Sequence, residues 1–302
     1  MNWKQSLDLF SLRCQAQNLS ARTRQLYRDE LRLFTKWANP TFPLDVTPLV
    51  IRCYLNECRE RGLSSYTVHR RFRILRTLFR FLHRECVITE NPIKNIEPPR
   101  IVKKQARAFT VEEIKAIIKQ IHQETDLGSR DYALILLLAD TGLRLSEALS
   151  IPITSLNLGK GLVRVMGKGG KEREVAFGIA VRRALVNWLA RRGDIASKQL
   201  FVNRFGVQLH SWQAEHRIRG YVKAAGIPTY HMNAHALRHF FAVEYLRNGG
   251  DIMTLQKQLG HTTLDMVRVY VAMSTTDLSR VHATAGPLDR IDLPGFRRVM
   301  FR

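Results

Sequence analysis

Acidic side chains are scarce in this 302-residue chain, with 26 Asp plus Glu set against 48 Lys plus Arg. The resulting formal charge of +22 favours a polyanionic partner, meaning nucleic acid or an anionic membrane surface. Cysteine is scarcer still. Cys14, Cys53, Cys58 and Cys86 all lie in the first third, and none forms a CxxC pair. A disulfide scaffold is thereby excluded, and buried thiols in a reducing compartment are expected. Long apolar runs are missing: the longest, residues 132–139, is far too short to cross a bilayer. The opening MNWKQSLDLF lacks the basic-then-apolar order of a secretory leader, so a cytoplasmic location is expected. What is present is globular, 45% hydrophobic and 25% charged, and at this length two domains are the natural expectation.

Both parts of the chain are basic. Residues 1–100 carry a net +9 and the remainder a net +13, so the charge is not a tail attached to a neutral body. The best boundary is the stretch EPPRIVKKQAR at 97–107, where two prolines stop the preceding helix and basic residues follow. Just beyond it, Thr110 and Glu113 have the spacing of a capping box and open a new helical unit. The domains are therefore read as 1–97, all helical; 98–108, a basic linker; and 109–302. Helical periodicity in the first covers 20–37, 48–61 and 64–84. At about 100° per residue, Val68, Phe72, Leu75, Phe79 and Leu82 fall on one side of the third run. Arg73, Arg76, Arg80 and Arg84 fall on the other, with few acidic residues to pair them. That stripe is read as a phosphate-tracking face, against the plain alternative of a solvated surface.

The second part is mixed. LVRVM at 162–166 and EREVAF at 172–177 read as two strands, joined by the turn Gly167–Lys171. Helical patterns occupy 110–123, 129–139, 178–192, 213–225, 236–248 and 251–258. The fold class is therefore mainly α with a small β-sheet.

Four local signals carry chemistry. In DTGLRLSE at 140–147 a glycine ends one helix and Arg144 stands at the start of the next. In the hairpin turn, Lys168 is flanked by glycines, although the P-loop spacing fails and the turn lies between strands. In HMNAHALRH at 231–239, His235 and Arg238 are three apart and share a helix face. His231, His235 and His239 recur every four residues, but no HExxH glutamate completes a zinc site and Arg238 stands among them, so no metal is expected. Finally, Gly260 has the look of a helix C-cap before His261, and Tyr270 follows nine residues on.

Taken singly these signals are weak. Their order, Arg144, Lys168, His235-x-x-Arg238, Leu-Gly-His261 and Tyr270, resembles the tyrosine site-specific recombinases, or phage-type integrases, over essentially the whole chain. Ser20, Thr23, Tyr27, Leu31, Phe34 and Trp37 fit the helical, SAM-like first domain of that family, its core-binding domain. The resemblance implies a C-shaped clamp on double-stranded DNA, built from a core-binding and a mixed α/β catalytic domain. It implies Tyr270 as nucleophile, Arg144 and Arg238 as phosphate clamps, and His235 and His261 as hydrogen-bonding and proton-transfer groups. Lys168 is implied as the acid for the leaving 5′ oxygen. Glu147 is read as orienting Arg144 and His239 as supporting the site around His235, against the plain alternative of helix caps or surface polar residues. A 3′-phosphotyrosine, a Holliday junction and four protomers, with no cofactor and no metal, complete the implication. The simple Xer-like build is favoured over the lambda type. The apolar tail with Phe296, Val299, Met300 and Phe301 is expected to dock onto a neighbouring protomer, and an accessory protein is compatible.

DNA contact is assigned by charge to Arg73, Arg76, Arg80 and Arg84, to Lys103 and Lys104 of the linker, and to Arg217, Arg219 and Lys223 with His216 on one later helix. Three competing classes stand beside the recombinase. A binding-only relative predicts no covalent adduct. A metal nuclease using the histidines of 231–239 predicts sensitivity to chelator. A membrane-surface protein lacks a terminal amphipathic anchor.

Overall fold

The computed structural model describes residues 1–39, 42–102, 107–167, 170–228 and 233–260. The chain divides into two compact units, Met1–Lys104 and Gln105–Arg302.

The first unit is four helices: α1 (Trp3–Ala16), α2 (Ala21–Ala38), α3 (Pro48–Glu60) and α4 (Ser65–Arg84). Each opens on a side chain that accepts from the first turn: Asn2, Ser20, Thr47 and Ser64 respectively. Pro48 sits at the first turn of α3, where its missing N–H costs nothing. The apolar face of α4 supplies Val68, Phe72, Leu75, Leu78, Phe79 and Leu82 to a core shared with Phe10, Leu31, Phe34 and Ile51. Edge-on aromatic contacts join Trp3, Phe34 and Phe79 at 6.2 Å centroid separations. One carboxylate is buried in this unit: Glu30 of α2 receives Arg70 at 2.5 Å and Arg71 at 2.8 Å from α4. Two guanidiniums on one carboxylate make its burial tolerable.

The chain after α4 stays fastened to it. His69 Nδ1 lies 2.8 Å from the Pro99 carbonyl, and the Val102 amide donates to Ser65 Oγ at 3.0 Å. Part of the segment 98–108 is thus held on the first unit, while Lys103 and Lys104 lie outside the described residues. The cysteines divide, contrary to expectation. Cys14 and Cys58 are buried, whereas Cys53, on the outward face of α3, and Cys86, in the turn after α4, are exposed.

The second unit holds α5 (Val111–Lys119), α6 (Asp126–Thr141), α7 (Leu145–Leu149), β1 (Leu156–Asn157), β2 (Leu162–Met166), β3 (Glu172–Ala176), α8 (Ile179–Arg192), α9 (Ser211–Ala224), α10 (Ala234–Arg247) and α11 (Ile252–Leu259). The capping box at Thr110 and Glu113 is present. Helix α6 is buried nearly all round and forms the axis of the unit, with α8, α9 and α10 packed on it. The three strands form one antiparallel sheet in the order β1-β2-β3. Val163 faces Val175 and Val165 faces Arg173 across β2 and β3, so Arg173 stands on the same sheet face as three buried valines.

Candidate active site

The site begins where α6 stops. Gly142 takes φ +64° and caps α6, as the DTGLR motif suggested. No other residue fits there: a Cβ would lie 2.4 Å from the Phe241 ring and 2.6 Å from Leu259. Two residues on, Arg144 caps the short helix α7. Its amide donates to Glu147 Oε2 at 3.0 Å and its guanidinium to Glu147 Oε1 at 2.8 Å. Glu147 is buried, and Arg144 is 36% exposed.

The Glu147 carboxylate is shared. Arg173 of β3 reaches both oxygens, at 2.8 and 3.3 Å. Burial alone would raise the Glu147 pKa, but Arg173 and the Arg144 amide and guanidinium overcome it and hold the group below the usual carboxylate range. The carboxylate is ionised at neutral pH and fixes the arginine that caps α7.

Arg238, on α10, is 1% exposed. It donates to the Gly142 carbonyl at 2.6 Å and to the Leu259 carbonyl at 2.9 Å. These are the C-terminal ends of α6 and α11, where the carbonyls lack helical partners and the dipole is negative. A single buried guanidinium therefore ties three helices together. His235 lies one turn before Arg238, at the start of α10. Its amide is held by Asn233 Oδ1 at 3.0 Å. Burial, Arg238 and Arg144 hold its imidazole below the ordinary histidine range, so the neutral form is favoured. The His239 ring packs edge-on against it with centroids 4.5 Å apart. Burial, with His235 and Arg238 beside it, pushes His239 down to about 4.

The structure thus brings Arg144, Glu147, His235, Arg238 and His239 into one neighbourhood. Lys168, His261 and Tyr270 lie outside the described residues, as do His231 and the whole of the expected docking tail. Among the described residues, no group of three His, Cys, Asp or Glu side chains is arranged to hold a metal ion.

Arg173 was missed by sequence reasoning. Its signal was the alternation of EREVA, which puts 173 and 175 on one face; an arginine on a valine-lined face demands a buried anion. Arg217, an expected DNA contact, has an ion-pair partner within its own unit. Its guanidinium turns inward to the buried carboxylate of Asp131 on α6 and also donates to the Tyr221 hydroxyl at 2.5 Å. Arg130 holds the other Asp131 oxygen at 2.6 and 2.9 Å. Burial, and Asp131 next, push the Tyr221 hydroxyl up to about 12. The network anchors α9 on α6. The outward stripe of α9 is instead Trp212, His216, Arg219 and Lys223, all exposed, with Trp212 at 70%.

In the first unit the α4 stripe is as expected. Arg73, Arg76, Arg80 and Arg84 are exposed and border one hollow. Arg13 of α1 joins them, its guanidinium lying over Phe81 at 5.1 Å and Phe10 at 5.7 Å. Among the described residues, the only carboxylate within ion-pair reach of the four is Glu85, 3.8 Å from Arg84.

Comparison with known proteins settles the lineage. Residues 107–276 match the phage integrase family, and residues 10–86 match its N-terminal SAM-like domain. The chain belongs to the phage integrase family. Among its relatives is the tyrosine recombinase XerC of Chromobacterium violaceum, 31% identical over 272 residues that cover 90% of this chain and 91% of the relative. XerC of Xylella fastidiosa strain M23 is 30% identical, covering 94% and 97%. The fold is that of solved phage-integrase-family structures. A XerH site-specific recombinase bound to a palindromic difH substrate superposes with TM-score 0.72 at 23% identity, covering 91% of this chain and 82% of that one. A lambda integrase dimer bound to a COC′ core site does so with TM-score 0.74 at 18% identity, covering 88% and 97%. Among the described residues, no helix is long and apolar enough to cross a membrane.

Proposed function

We propose that the chain is a site-specific DNA recombinase that cleaves and rejoins DNA through a 3′-phosphotyrosine. The observation that carries this reading is the pre-set cation cluster. Arg144 is locked to the buried Glu147 carboxylate, beside a neutral His235 and the buried Arg238, in a chain of this family. Phosphodiester cleavage gathers negative charge on the phosphoryl oxygens in the transition state, and fixed cations stabilise it without reorganising. Arg144 is the partly exposed member and offers its guanidinium to a non-bridging oxygen. Arg238 carries charge from below while holding the ends of α6 and α11 in register. His235, neutral at pH 7, can accept or share a proton.

The remaining steps fall to residues assigned by the family pattern. The Tyr270 hydroxyl attacks phosphorus, the bond to the 5′ oxygen breaks, and Lys168 gives that oxygen its proton. His261 adds a hydrogen bond. The phosphotyrosine conserves the bond energy, so a second 5′ hydroxyl can reverse the step without ATP. Strand exchange between two duplexes then passes through a Holliday junction held by four protomers, with the C-terminal tail of each docked on a neighbour. Both basic units contact DNA in this reading, with Arg73, Arg76, Arg80 and Arg84 on the first and Arg219 and Lys223 on the second tracking phosphates. Lys103 and Lys104 of the linker add phosphate contacts in the same reading. The biological role in this reading is integration, excision or resolution of a mobile element or replicon, inside the cell where DNA is found.

The test uses a nicked or junction DNA carrying the candidate site, in excess EDTA. Wild type is expected to give a protein–DNA adduct on a denaturing gel, and Tyr270→Phe none. Tight binding without adduct contradicts the reading, and so does an adduct that persists in Tyr270→Phe.

A further inference from the structure

Arg173 belongs to none of the roles above, yet it stands at the centre of the cluster. Its side chain is 15% exposed. Its Nη1 and Nη2 grip Glu147, and its Nε donates to the Gln258 carbonyl in the last turn of α11 at 3.2 Å. Two glycines press against the same guanidinium. A Cβ on Gly167 would lie 3.2 Å from Nη1, and one on Gly260, which holds φ +64°, would lie 2.9 Å from Cζ. Gly167 immediately precedes Lys168 in the chain, and Gly260 immediately precedes His261. The Gln258 side chain adds a second tie, donating to the Ala176 carbonyl of β3 at 2.8 Å. One guanidinium therefore borders three chain segments, and each leads directly to a different member of the reaction machinery.

We propose that Arg173 is the positioning residue of strand cleavage: through Glu147 it sets Arg144, and through Gly167 and Gly260 it sets the points from which Lys168 and His261 depart. This rests on the recombinase reading. Arg173 contacts no substrate in this role. Its planar fork suits the task because it can satisfy a carboxylate on one edge and a carbonyl on another, while its faces remain flat enough for two glycines to approach. A side chain that merely filled space would need neither the charge nor both glycines.

The test compares wild type with Arg173→Met, Arg173→Lys and Gly167→Ala on one DNA site. Affinity, thermal midpoint and the single-turnover rate of adduct formation at saturating DNA are measured. Arg173→Met is expected to keep affinity within about threefold while the adduct rate falls about 30- to 100-fold. Arg173→Lys, able to keep one charged bond to Glu147, recovers the rate to within about tenfold of wild type. Gly167→Ala, whose Cβ meets the Lys171 carbonyl as closely as Arg173, slows cleavage several-fold alone and loses part of that effect on the Arg173→Met background, because the two share one contact. An adduct rate for Arg173→Met within threefold of wild type overturns the proposal, as does a rate that falls only in step with affinity. Should Arg173→Met fail to fold, the Arg173→Lys and Gly167→Ala pair gives the same answer. Amide exchange in a peptide spanning 252–260 separates this idea from the recombinase reading. If wild type forms no adduct but exchange there rises about tenfold in Arg173→Lys, the recombinase reading fails and the positioning contact stands. Unchanged exchange overturns the contact itself.

Discussion

Arginine is used in two opposite ways around α7 and α10 and along the outward stripe of α4. Around α7 and α10 the guanidiniums of Arg144, Arg173 and Arg238 are bound to a buried carboxylate or to helix-end carbonyls. Along α4 the guanidiniums of Arg73, Arg76 and Arg80 face open solvent with no carboxylate in reach among the described residues. A paired and desolvated arginine has fixed geometry and responds little to salt. An unpaired, exposed one keeps its freedom and its counterion, and releases that counterion when a phosphate arrives. The first arrangement suits stabilising one transition state; the second suits following a polyanion of any sequence. Residue type alone does not separate them, and partners do.

Substitutions separate the bound arginines from the open ones. Gly142→Ala should cost about 3–5 kcal/mol in urea unfolding, because it combines left-handed backbone with overlap on Phe241 and Leu259. Wild-type stability would show that the junction of α6 and α7 yields freely, and that the cluster is not rigid. Glu147→Gln leaves two guanidiniums in a buried site without their anion. A loss of about 3 kcal/mol in stability and at least about a hundredfold in cleavage is expected, with DNA affinity nearly kept.

A smaller effect comes from pH. The folded pKa of His239 is about 4, below the ordinary histidine value of 6.5, so the unfolded chain binds the proton first as pH falls. This contribution is complete above pH 6.5 and is lost between 6.5 and 4, at about 1.4 kcal/mol per pH unit for one proton. The thermal midpoint of wild type should fall relative to that of His239→Gln between pH 7.5 and pH 5; parallel curves would contradict the assignment. The smallest effect belongs to the stripe. Each of Arg73→Ala, Arg76→Ala and Arg80→Ala should weaken DNA binding a few-fold and lower the salt slope by about one, leaving cleavage at saturating DNA unchanged.

Much of this was legible in the sequence, for identifiable reasons. The β2–β3 hairpin was placed because strand alternation and a glycine-rich turn are local signals. Gly142 and Gly260 were read as helix ends because left-handed backbone leaves few other choices. The arginine stripe of α4 followed from period alone, since one face of a long helix is enough to define the other. The Arg217 ion pair is not legible because its partner Asp131 is 86 residues away, and no local pattern distinguishes a buried ion pair from a surface cation. Arg173 stayed hidden for a related reason: the pattern gave its face, but only the folded chain brings Glu147 and the end of α11 to it. Arg13 joins the α4 stripe through packing of α1, which no pattern within α4 reveals. Helix α7, at five residues, is too short for any period to show.

The two sets of arginines divide the labour, and one paired experiment separates their roles. Arg144→Lys and Arg76→Ala would be measured side by side on one DNA site, for affinity across a salt series and for single-turnover adduct formation at saturating DNA. Arg144→Lys is expected to lose at least about a hundredfold in cleavage with its salt slope intact, and Arg76→Ala to lose slope and affinity with cleavage intact. If the two variants instead lose affinity and cleavage in the same proportion, paired and open arginines are doing the same work, and the division is wrong.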